Sequence, residues 1–157
     1  MSSTGTSEGQ GRSIQERLYP SLTCFGCGHA NPKGLRLRSF LEDGVVTARF
    51  TPWPEHDNGM GYLNGGIIST VLDCHGGAAV IAEAHRREWL TDGLPLSYVT
   101  ARLDVRFLRP TPLEEALLLR ATLLESSEEA MTVEATVSWE GKQRAAATAL
   151  WKRWRPR

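Results

Sequence analysis

The chain has 157 residues and a mass of 17.4 kDa, and 41% of its residues are hydrophobic, enough for one domain with a proper core. Eighteen Lys and Arg balance eighteen Asp and Glu, so no net charge pulls the chain onto DNA, RNA or an anionic membrane. Three cysteines are too few for a disulfide scaffold and odd in number, which points to a reducing, cytoplasmic setting.

Residues 1–12 are Ser, Thr, Gly, Gln and charge, without the apolar stretch of a signal peptide, and read as a disordered tail. Residues 13–157 read as a single domain. Ser13 followed three residues later by Glu16 is a capping-box pattern and predicts a short helix over 13–19. Cys24-Phe25-Gly26-Cys27-Gly28 reads as a tight loop and Asn31-Pro32-Lys33-Gly34 as a turn. Leu35, Leu37 and Leu41 share one parity and predict a strand over 34–42. Asp43-Gly44 is a hairpin signal, and 45–51 reads as the partner strand. A loop rich in Pro, Gly, His and Asn spans 52–63.

From Gly65 the pattern changes. About twenty residues run without proline or period-two alternation, so the segment predicts a helix to about Arg87, apolar nearly all round and therefore buried on most sides. Asp73, His75 and Glu83 inside it argue against a membrane span. After the Asp92–Pro95 break everything reads as strand. Val99, Ala101, Leu103, Val105 and Phe107 alternate with polar residues, as do Met131, Val133, Ala135, Val137 and Trp139. Segments 117–125 and 144–154 are more continuously apolar and predict more central strands. Turns are expected at 126–129 and 140–142. The expected architecture is α+β: about six antiparallel strands wrapped round one long helix.

The sharpest chemical feature is Asn64-Gly65-Gly66 followed by Asp73. Glycines opening a helix leave N–H groups unshielded, a setting that favours an anion or a developing oxyanion. Asp73 is an acid in an apolar helix, and its neighbours at helical spacing (Gly66, Ser69, Thr70, Gly76, Gly77 and Val80) are mostly small, leaving room for a ligand or a second chain. Asp73 lies eight residues beyond Gly65, about 12 Å along the axis, so one carbonyl cannot meet both in one chain.

Asn64-Gly65-Gly66 with Asp73 resembles the His-Gly-Gly-x6-Asp motif of hot-dog-fold acyl-CoA thioesterases of the phenylacetate-pathway type. Cys24–Gly28, Asn31-Pro32-Lys33-Gly34-Leu35 and Phe107-Leu108-Arg109-Pro110-Thr111-Pro112 resemble further segments of that superfamily. Asn64 stands where the motif has His; it can hydrogen-bond but cannot titrate. The resemblance implies a hot-dog fold and a homodimer or dimer of dimers with sites built across the interface. It implies an acyl-CoA substrate, no cofactor, glycine amides as the oxyanion hole, and Asp73 of the facing chain as general base or nucleophile.

Other residues carry weaker signals. His75 sits about 200° round the helix from Asp73 and reads as a satisfied interior histidine. His56 and Asn58 border the helix start, and Asn58 is a candidate to polarise the thioester carbonyl. Arg102, Arg106 and Arg109 are candidates to meet coenzyme A phosphates. Cys24 and Cys27 form one CxxC with only His29 nearby, short of a zinc set, so no metal is expected, and Cys74 reads as an inert buried thiol. Two rivals share the fold: an enoyl-thioester hydratase or dehydratase, which would need an acid–base histidine, and a non-catalytic acyl-CoA binding module.

Overall fold

The computed structural model describes residues 11–94 and 96–157, so residues 1–10 of the expected tail lie outside the described residues. In chain order the elements are helix α1 (Ile14–Leu18), strands β1 (Phe40–Glu42) and β2 (Val45–Phe50), a 3-10 turn (Pro54–His56), helix α2 (Gly65–Arg86), and strands β3 (Tyr98–Phe107), β4 (Leu117–Ser126), β5 (Ala130–Trp139) and β6 (Lys142–Arg153). The six strands form one antiparallel sheet in the order β1-β2-β4-β5-β6-β3. The expected α+β hot-dog architecture is the observed one.

Helix α2 is the core of the molecule. Val71, Leu72, Ala78, Val80, Ile81 and Ala84 are almost wholly buried, and the sheet supplies Leu117, Leu119, Met131, Val133, Val137 and Ala145 against them. The helix is long and apolar enough to cross a membrane, but here the sheet wraps it. A small residue is required where sheet meets helix: a Cβ on Gly77 would come within 2.6 Å of Trp151. The 3.6-residue period matters little when nearly every face is covered, which is why length and missing alternation were the useful signals.

Two strand expectations are corrected. Residues 34–39 are not in the sheet; only Phe40–Glu42 pairs, with β2. Leu35 and Leu37 are buried as their parity requires, yet their N–H groups donate to the Phe25 and Gly26 carbonyls. Arg36 takes a φ of 54°, which breaks the extended run, and Leu41 ends half-exposed. In β3 the register against β6 shifts between Thr100 and Arg102. The side chains therefore change parity there: Tyr98 is buried and Thr100 reaches helix α2, whereas Val99 is 44% exposed. Beyond the shift Leu103 and Val105 pack on the core as expected.

Elements outside the sheet are tied in by polar contacts. The capping box of α1 forms as predicted, with Ser13 Oγ accepting from the Glu16 N–H and Glu16 accepting from the Ser13 N–H. Gln15 binds Ser39 twice, accepting from its N–H and donating to its hydroxyl. Ser39 and the Val46 carbonyl then hold the two ring nitrogens of His75, each at 2.9 Å. A carbonyl only accepts, so Nε2 carries the proton and Nδ1 accepts from Ser39. Burial pushes the His75 pKa down to about 4, leaving a neutral interior histidine.

Candidate functional site

Asn64 caps helix α2. Its Oδ1 accepts from the Gly66 N–H at 2.7 Å and more weakly from the Ile67 N–H at 3.4 Å. The Gly66 amide is thus engaged by the chain's own cap, and the cap leaves the Gly65 N–H aside. The Asn64 N–H donates to the His56 carbonyl, which fixes the entry of the chain into the helix. Phe107 of β3 packs over Gly65, where a Cβ would stand 3.4 Å from its ring.

Asp73 lies two turns further on, partly buried, with its Oδ1 accepting a 2.7 Å hydrogen bond from the Thr100 hydroxyl. Burial raises its pKa above the ordinary carboxylate value, and the Thr100 bond partly offsets that by favouring the charged form. Thr100 carried no signal in the sequence. It sat among the polar residues expected to face away from the helix, and only the register shift in β3 turns it to Asp73.

The remaining predicted residues fall into two groups. His56 is buried; its Nδ1 accepts from the Trp53 N–H, its ring stacks on Trp53, and burial lowers its pKa. Asn58 uses its Oδ1 to accept from the Met60 and Tyr62 N–H groups, shaping the loop before the helix. These two position the helix start. Arg102, Arg106 and Arg109 are exposed along and just beyond β3, and Arg109 donates to the Gln143 carbonyl. A concavity of about 690 Å³ lined by Arg36, Phe40, Arg49, Trp53 and Arg120 lies apart from Asp73.

The fold gathers the three cysteines, with Cys74 buried as expected. Cys74 adjoins the CxxC loop, and the sulfurs of Cys24, Cys27 and Cys74 all lie within 4.8 Å of one another. Cys24 and Cys74 Sγ hydrogen-bond at 3.7 Å, and the neighbouring thiols draw the Cys24 pKa down while pushing that of Cys27 up. Cys74 follows Asp73 directly, so this cluster flanks the candidate site.

A model of the thioesterase superfamily matches residues 60–146, more than half of the chain. A phenylacetic acid degradation-related protein from Ralstonia eutropha is 27% identical, with a TM-score of 0.65 over 75% of this chain and 85% of its own. A thioesterase superfamily protein from Shewanella loihica is 28% identical, with a TM-score of 0.63 over 76% of this chain and 91% of its own. A Bacillus halodurans protein solved with CoA is 26% identical, with a TM-score of 0.65 over 78% and 77%. No curated protein matches the sequence.

Proposed function

The chain belongs to the thioesterase superfamily, and from that premise we propose that it hydrolyses an acyl-CoA to the free acid and CoA at a site shared by two copies of the chain. The observation that carries the reading is Asp73: a half-buried carboxylate on the core helix, aligned by Thr100 and raised in pKa. The Gly65 N–H of one copy polarises the thioester carbonyl and stabilises its oxyanion, with Asn64 holding the helix start in place. Asp73 of the other copy takes a proton from the attacking water, or attacks the carbonyl itself. A reducing, cytoplasmic setting suits the three free cysteines.

The register of β3 supports the shared site. Among the described residues it is an edge strand, ten residues long, with an unpaired side. Thr100 marks the Asp73 level of the helix and Phe107 marks the Gly65 level. Two β3 strands paired antiparallel about an axis near Leu103–Asp104 set Thr100 of one copy beside Phe107 of the other. That brings Asp73 of one chain to the helix start of its neighbour, spanning the 12 Å that one chain cannot.

The hydratase reading finds less support in its histidines: both ring nitrogens of buried His75 are bound within the fold, and Nδ1 of buried His56 accepts from the Trp53 N–H. The test is a panel of aliphatic and aromatic acyl-CoAs assayed for free thiol, with wild type and Asp73→Asn side by side. Asn keeps the acceptor for Thr100, so the melting temperature should hold while kcat falls at least about 100-fold. KM should change much less, because the lost interaction belongs to the transition state. Saturable acyl-CoA binding without thiol release in the wild type would favour the binding module instead.

A further inference from the structure

We propose that Cys24, Cys27 and Cys74 form a zinc-class metal site that clamps the segment between α1 and β1 onto the core helix. The three cysteines are free, and their sulfurs are gathered within 4.8 Å. Cys24 and Cys74 Sγ stand 3.7 Å apart. Zinc–thiolate bonds of about 2.3 Å at tetrahedral angles place ligand sulfurs roughly 3.8 Å apart, so the spacing suits the ion.

The loop is built to bring the sulfurs together. A Cβ on Gly26 would stand 2.3 Å from Cys74 Sγ and 2.8 Å from Thr70 Cγ2, so only glycine lets the CxxC loop reach the helix there. A Cβ on Gly28 would stand 2.5 Å from the Cys24 nitrogen and 2.6 Å from its carbonyl oxygen, so glycine also closes the turn. The expectation of no metal counted ligands close in sequence; the fold adds one fifty residues away.

The clamp has a mechanical role. Residues 22–37 carry no sheet pairing and hydrogen-bond largely among themselves, through Gly28 to Cys24, Leu35 to Phe25 and Leu37 to Gly26. An ion shared by Cys24, Cys27 and Cys74 ties that segment to α2. Binding displaces the thiol protons to solvent, and three thiolates fill three tetrahedral positions. Cys27 and Cys74 are buried and Cys24 is not, so solvent takes the fourth position on the Cys24 side.

The test uses the full chain purified under reducing conditions. Elemental analysis should find about one zinc per chain. After chelation, Zn²⁺ alone should restore both the melting temperature and the protection of all three thiols from a thiol reagent. Co²⁺ in its place should give thiolate charge-transfer absorption and the visible bands of a tetrahedral ion. Cys74→Ala and Cys24→Ser should each weaken Zn²⁺ binding at least about 100-fold, with melts near that of the metal-free wild type, whereas His29→Ala should keep wild-type binding. Metal-free protein that neither takes up Zn²⁺ nor gives the Co²⁺ spectrum would overturn the site. So would a Cys74→Ala variant that retains metal with wild-type affinity.

Discussion

Asp73 and Thr100 show how one hydroxyl tunes a carboxylate. Burial disfavours the charge on Asp73 and the Thr100 bond favours it, with burial the larger effect. A base must be ionised, so the acid limb of kcat/KM should lie above the ordinary aspartate value. Thr100→Val keeps the shape and deletes the donor, so the limb should move to higher pH, by about one pH unit for a hydrogen bond to a charged group. A limb that stays in place would separate Thr100 from the working state of Asp73. The stability sign is the reverse of a salt-bridged acid: the folded state holds this proton more tightly than the unfolded one, so Asp73's contribution is largest at low pH and is lost as pH rises through the raised value. Asp73 and the helix-opening glycines were legible in the sequence because a charge in an apolar run and a double glycine are local anomalies. Thr100 and the meeting of Cys74 with the CxxC loop were not, since each depends on contacts 27 to 50 residues apart that no local pattern encodes.

At the scale of elements, alternation reports which side of a segment is buried, not what its backbone pairs with. In β5 the two agree, because hairpin turns fix its partners on both sides. In residues 34–39 the same alternation arises from a segment lying on the core without a ladder, with His75 as its anchor. That anchor has a pH signature. The unfolded chain binds a proton at its imidazole near pH 6.5 and the folded chain only near about 4. Between those values the unfolded state holds more protons, so this contribution is intact above about pH 6.5 and is lost as pH falls toward 4. A gap of that size is worth about 3 kcal/mol, or roughly 6–12 °C in melting temperature for a chain of this length. His75→Gln cannot take up the proton; it should melt lower at pH 7 but lose less than half as much on acidification. Equal slopes for wild type and variant would remove His75 from the account.

At the scale of the whole molecule, the proposed site is divided between two chains, and that division can be tested with two variants that are each inactive alone. Asp73→Asn removes the carboxylate. Gly65→Pro removes the one N–H at the helix start that the Asn64 cap leaves aside. Proline is well suited to the first helical position, and Asn64 before it already has the extended ψ of 134° that a following proline needs, so the fold should survive. Losing one oxyanion donor should lower kcat by about 10²–10³-fold. Light scattering should give at least twice 17.4 kDa for both variants and for the wild type. In a mixed dimer, one site receives the intact helix start of the Asp73→Asn chain and the intact carboxylate of the Gly65→Pro chain; the other receives both lesions. Equal amounts unfolded together and refolded yield mixed dimers as half of the population, each with one working site of two. The mixture should therefore recover about a quarter of wild-type turnover, far above either variant alone. If both lesions fell within one chain's own site, every site would carry at least one of them, and mixing would recover nothing. A mixture no more active than its components, at full dimer content, would place the chemistry within a single chain and sink the shared site.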